Sequence, residues 1–98
     1  MDKSISWLMF KCEKLSLQQI LKKFAFIVKH DEKTNVLQIH YINNTYIQPW
    51  ILAILNDETH ESPSIILNKD YDTICYNFEN VNKEILEKEH YIPKDLLK

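Results

Sequence analysis

Short apolar runs alternate with polar clusters along this chain, and the spacing inside the runs changes from one to the next. Residues 5–13 are rich in apolar and aromatic groups over a strand-like length, which predicts a first strand. Ser16 then reads as a helix cap, with Gln19 three positions on completing a capping box. Leu17, Ile20, Leu21 and Phe24 recur at helical spacing, with Gln18, Gln19, Lys22 and Lys23 on the other side. From Phe24 to Val28 the run turns β-rich, and the polar cluster His30 to Asn35 follows it. The pattern predicts a short helix, a strand at 24–29, a turn, and a strand at 36–42.

Asn43-Asn44 marks the next turn. A two-residue hairpin loop needs positive φ at both central positions, and asparagine is the best substitute where glycine is missing. Pairing outward from it sets Tyr41 opposite Tyr46 and Leu37 opposite Trp50, aromatic and aliphatic partners that a sheet favours. Pro49 donates no ladder hydrogen bond and suits an edge or a bulge. Residues 49–56 also read as a buried helix opening at Pro49. Trp50 to Leu55 is wholly apolar, so periodicity does not separate the two readings.

The polar stretch Asn56 to Pro63 predicts a loop. Ser64 to Asn68 and Thr73 to Phe78 predict a hairpin around Lys69-Asp70-Tyr71-Asp72. Asn80 or Asn82 then caps a last helix containing Ile85, Leu86 and the i,i+4 pair Glu84–Lys88. Pro93 stops that helix, and Leu96 and Leu97 either dock or fray. The elements together predict an α+β fold, a small antiparallel sheet of about four to six strands with a helix near each end of the chain. With no linker, repeat or low-complexity tract, residues 1–98 read as a single domain.

Composition narrows the function classes. The 98 residues are 45% hydrophobic with 11% aromatic, enough for a core and unlike a disordered chain. There is no glycine. Phosphate cradles and dinucleotide loops use glycine so that the backbone can approach oxygens at positive φ, so both are excluded. The calcium loop of the EF-hand also needs glycine, although Asp70-Tyr71-Asp72 resembles its beginning. All 12 basic residues are lysine. Without arginine's planar fork, sequence-specific DNA reading is disfavoured. Both absences, beside abundant Lys, Asn and Ile, follow the pattern of an AT-rich coding sequence.

Cys12 and Cys75 sit in apolar contexts and read as buried free thiols rather than a disulfide framework. The apolar run Ile5 to Phe10 is too short for a secretion signal, and no stretch reaches a membrane span's length, so a cytoplasmic protein without membrane association is expected. The histidines at 30, 40, 60 and 90 lack metal-site spacing, and no metal or cofactor is expected. Cys12 or Cys75 with His40 could be imagined as a thiol dyad, but no local pattern supports it. Glu58 with Glu61 and Glu84 with Glu87 read as solubilising groups, not an acid–base pair. The expectation is therefore a protein that is not an enzyme.

Two binding readings remain. Residues 1–34 carry seven lysines against four acids, and the rest five against ten. Lys11, Lys14, Lys22 and Lys23, with Lys29 and Lys33, interleave with Trp7, Phe10, Phe24 and Phe26, as in lysine-mediated binders of RNA or single-stranded DNA. Those aromatics also fall on apolar faces, where core packing explains them. Tyr41, Tyr46, Trp50 and Tyr71, beside Tyr76 and Tyr91, exceed what one small core needs, and Tyr and Trp often anchor interfaces. The favoured reading is a small non-catalytic protein-binding module whose partner is a host or cognate protein. By size, composition and elimination it suits a phage or mobile-element inhibitor of a host protein or defence complex, or a toxin-immunity protein. Little beyond Pro49 and scattered lysines protects a sheet edge, which leaves an edge-to-edge homodimer open.

Overall fold

The computed structural model describes residues 11–98, so the part of the expected first strand that lies in 5–10 falls outside the described residues. The chain is α+β, as its pattern predicts. Strand β1 (Cys12–Ser16) leads directly into helix α1 (Leu17–Phe24), whose N-terminus carries the expected capping box. Ser16 Oγ accepts from the Gln19 N–H at 3.1 Å, and Gln19 Oε1 accepts from the Ser16 N–H at 2.8 Å. Leu17, Ile20 and Leu21 turn to the core, while Lys22 and Lys23 sit in the last turn, where cations complement the helix dipole. The expected strand at 24–29 begins later: Phe24 completes the helix, and β2 spans Ile27–Asp31.

β2 pairs antiparallel with β3 (Val36–Ile42), at the bounds the pattern predicts. The chain then departs from the hairpin expected at Asn43-Asn44. Both asparagines do adopt positive φ, 54° and 62°, and Thr45 N–H closes the turn on Ile42 O. The pairing of Tyr41 with Tyr46 and Leu37 with Trp50 does not form. Instead Tyr41 faces Ile74 and Leu37 faces Phe78, because β5 (Thr73–Phe78) occupies the place beside β3. Residues 49–56 resolve as helix: α2 runs Pro49–Thr59, with proline in its first turn, where a missing N–H costs nothing. The helix extends into the expected loop and ends where His60 takes a left-handed φ of 58°.

β4 (Ser64–Asn68) and β5 form the predicted hairpin, and the four-stranded sheet has the order β2-β3-β5-β4. Asn82 caps the short helix α3 (Lys83–Glu87), its Oδ1 accepting from the Ile85 N–H at 2.9 Å. Two expectations near it are corrected. Lys88 pairs with Glu58 at 2.7 Å rather than with Glu84, and α3's own i,i+4 pair is Lys83–Glu87. Pro93 does not stop the helix, which ends at Glu87; it closes β6 (Glu89–Pro93), which pairs with β1 as a separate two-stranded sheet. A 3-10 turn at Lys94–Leu97 ends the chain, with Leu97 packed on the core.

One face of the four-stranded sheet builds the core. Leu37, Ile39 and Tyr41 of β3 alternate with outward residues, as do Ile74, Tyr76 and Phe78 of β5. Against them pack Leu17, Ile20 and Leu21 of α1, Ile51 and Leu55 of α2, and Val81, Leu86 and Ile92. Each such buried side chain contributes about 1.5–3 kcal/mol of burial. Without glycine, the left-handed positions fall to Asn35, Asn43, Asn44, His60, Asp72 and Asn80 among the described residues. Short polar side chains tolerate that conformation best, so four of these six are asparagine.

Candidate functional site

The backbone hydrogen bonds fix which groups each strand turns outward. Asn43 N–H donates to Asp72 O at 3.1 Å, continuing the register in which Ile42 faces Thr73. In an antiparallel ladder, directly opposite residues exchange bonds at every second pair, and a strand's bonding direction alternates. Ile74, Tyr76 and Phe78 therefore bond to β3, while Thr73, Cys75 and Asn77 bond to β4. Their partners on β4 are Asn68, Ile66 and Ser64. That leaves the N–H and C=O of Ile65 and Leu67 facing outward from a strand that is the sheet's edge among the described residues.

The side chains of the same strand are apolar on both faces. Ile65 and Leu67 lie on the core side of the sheet, but the helices do not reach them. They are 54% and 64% exposed. Ile66 lies on the open side and is 58% exposed. Every residue of β4 is exposed, and none carries a charge. Tyr46 stands beside the strand: a shallow cavity of about 110 Å³ lies between Thr45, Tyr46, Leu67, Lys69 and Ile74. Tyr71 caps the hairpin turn, 77% exposed. Natural edge strands are shielded by charge, proline or a bulge, and β4 has none of these within it.

The four aromatics expected at a partner surface divide evenly. Tyr46 and Tyr71 are exposed and flank β4. Tyr41, 3% exposed, is core: its ring meets Tyr76 edge-on at 5.8 Å, and burial, with Tyr76 beside it, pushes its phenol up to about 12. Trp50 is half-buried against Phe24 at 5.7 Å, and its indole N–H donates to Gln48. Ile65, Ile66 and Leu67 were not anticipated as surface. Three consecutive apolar residues show no alternation that would mark an exposed face, and only the sheet order places β4 at the margin among the described residues.

Lys11, Lys14, Lys22 and Lys23 of the nucleic-acid reading lie at β1 and in α1. Lys14 pairs with Glu89 at 3.9 Å and lies 5.8 Å from the centre of the Tyr91 ring. Lys22 lines a cleft with Lys83 but also with Glu32 and Glu87. Lys23 lies in the last turn of α1, and Lys11 precedes β1 on the other sheet. Phe24 belongs to the core margin, whereas Phe26 is exposed; Trp7 and Phe10 lie outside the described residues.

His40 and Cys75 do meet, as directly opposed residues on the open face of the sheet, with Sγ 3.7 Å from Nε2. The electrostatics run against an activated thiol. Burial pushes the Cys75 thiol up, and burial together with Lys29 holds His40 below its ordinary range. Nucleophilic thiols require the opposite pair of shifts. Cys12 is on β1, a free thiol like Cys75. Among the described residues no group of three or more His, Cys, Asp or Glu is placed to hold a metal ion, and no helix is long and apolar enough to cross a membrane. Comparison with protein-family models, with curated proteins and with solved structures found no match.

Proposed function

We propose that this chain is a non-catalytic module that binds another protein by offering it the open edge of β4. One observation carries the reading: β4 joins two outward-facing backbone pairs, at Ile65 and Leu67, to three consecutive exposed apolar side chains. An extended segment added there gains main-chain hydrogen bonds from the edge and side-chain contact on both faces, the mode known as strand addition. Tyr46 and Tyr71 flank the strand and supply the large, low-entropy side chains that anchor interfaces. The partner in this reading is a host or cognate protein, and a strand lent to it would act by occupying the partner's own recognition segment. An inhibitor encoded by a mobile element works in that stoichiometric way, and the AT-biased composition is consistent with such a source.

The test is affinity capture from the native host by the wild-type chain and by Leu67→Lys, read by mass spectrometry. Leu67 is exposed, so the lysine leaves the fold intact while placing a charge on the edge. The expected result is a protein enriched by the wild type and lost with the variant. Enrichment that Leu67→Lys leaves unchanged contradicts the edge as the binding surface.

A further inference from the structure

The same edge is complementary to itself. We propose that, when no partner occupies it, β4 pairs antiparallel with β4 of a second copy around a two-fold axis through Ile66, so that self-association and partner binding compete for one strand. The inference rests on the edge reading above and adds what fills the edge in the purified protein.

Three features of the strand support a second copy as the occupant. First, the hydrogen-bonding phase fits. With Ile65 and Leu67 turned outward, an antiparallel pair centred on Ile66 sets Ile65 against the partner's Leu67, where each exchanges both bonds. Ile66 then faces its own symmetry mate at a pair without hydrogen bonds, where side chains approach most closely. Shifting the register by one residue sets outward backbone groups against inward ones and breaks the ladder.

Second, the side chains match. On the core side of the sheet, Ile65 meets the partner's Leu67. On the open side, Ile66 meets the partner's Ile66, and Ser64 meets the partner's Asn68. Apolar groups oppose apolar groups, and the two polar ends oppose each other.

Third, when the register is continued past the strand ends, no like charges are set directly opposite. Glu61 precedes the strand and Lys69 follows it, both exposed. Antiparallel pairing brings each Lys69 across from the partner's Pro63, two positions from the partner's Glu61. Asp70 falls across from the partner's Ser62. No like charges stand directly opposite, whereas a parallel pair would set Lys69 against the partner's Lys69. A two-fold contact of this kind closes at two copies, because each chain has one such edge.

The other edge of the sheet does not offer the same fit. β2 carries Lys29 and Asp31 on the open face and His30 on the core side, so a second strand there would have to cover ionisable groups. The neutral edge is the one that pairs.

The experiment is sedimentation equilibrium of the purified chain from about 1 µM to about 1 mM, a range that spans weak interfaces below standard size. The expected result is a monomer–dimer equilibrium for the wild type and a monomer throughout for Leu67→Lys, with the two chains melting alike. Register is read by cysteine cross-linking in a Cys12→Ser, Cys75→Ala background. That background removes Cys75, which would otherwise face the new thiol across the hairpin. Ile66→Cys should form an intermolecular disulfide, because its Cα and its mate's lie about 4.5 Å apart at such a pair. Ile65→Cys alone should not, because its mate lies diagonally, beyond the reach of a disulfide.

A monomer at the highest concentration overturns the proposal, as does a dimer indifferent to Leu67→Lys or one that cross-links through Ile65→Cys and not Ile66→Cys. The capture experiment separates this failure from that of the edge reading. A monomeric wild type whose captured partner is lost with Leu67→Lys overturns self-pairing alone. A partner retained by Leu67→Lys overturns both.

Discussion

The two edges of the four-stranded sheet are equal in length and unlike in chemistry. β2 and β4 each span five residues and, among the described residues, each has one neighbour. β2 sets Lys29 and Asp31 on the open face, and the Nε2 of His30 is hydrogen-bonded to Val81 O on the core side. The Lys33 N–H donates to the Asp31 carboxylate, which holds its pKa below the usual carboxylate value of 3.8 and keeps it charged. A strand docking on β2 would have to strip water from these groups, and a buried charge without a partner is strongly unfavourable. β4 has no ionisable side chain, and its three apolar residues are each more than half exposed. A sheet of this size needs its edges protected, and this one protects a single edge. The unprotected one is therefore the edge to which we assign the proposed pairing.

That contrast breaks most completely if the shared core is removed. Phe78, 1% exposed, packs opposite Leu37 between the two halves of the sheet. Phe78→Ala should destabilise the fold by about 3–5 kcal/mol, read by urea denaturation, and both edges should be lost in one transition. Two separate transitions would mean the edges do not share a core. Leu67→Lys should break one edge alone. It should weaken pairing at β4 by about a hundredfold, roughly 2.7 kcal/mol, while changing fold stability by no more than about 0.5 kcal/mol.

A smaller change should act on the opposite edge. Ser16 caps α1, which leads into β2 through the Ala25 N–H bonded to Leu21 O. Ser16→Ala should cost about 1 kcal/mol and raise amide exchange in α1 and β2 more than in β4. Uniform loss of protection would show that the cap stabilises the fold as a whole. The smallest effect should be a pH dependence from His40, which faces Cys75 on the open side of the sheet. Its pKa lies below the ordinary 6.5, through burial first and Lys29 second. The folded state thus favours the neutral ring, so this contribution is complete above pH 6.5 and shrinks as pH falls towards the folded value. Asp31 acts in a separate window, losing its contribution as pH falls below 3.8. Thermal midpoints should therefore decline gently between about pH 7 and about pH 5, and His40→Gln should flatten that decline.

Much of the fold was legible in the residues because local chemistry decided it. The Ser16–Gln19 box, the bounds of β3, and the hairpin of β4 with β5 rest on capping, alternation and turn residues that act within a few positions. Asn43-Asn44 was half legible. Its positive φ followed from the missing glycine, but the destination of the chain beyond it did not. Pro49 and six consecutive apolar residues suit a helix once β5 has taken the place beside β3, and that is a long-range fact. The same limit hid the candidate site. Ile65, Ile66 and Leu67 show no alternation that would mark an exposed face, and only the sheet order shows β4 at the margin. Tyr41 and Tyr46 illustrate the converse, since two tyrosines five positions apart lie one in the core and one at the edge.

The most direct test of the β4 edge is site-resolved amide hydrogen exchange at low and high protein concentration. The N–H groups of Ile65 and Leu67 should become protected as concentration rises, while those of Val28 and His30, turned outward from β2, should exchange at the same rate throughout. Fast exchange at Ile65 and Leu67 at every concentration, or protection growing at Val28 and His30 instead, would contradict the account.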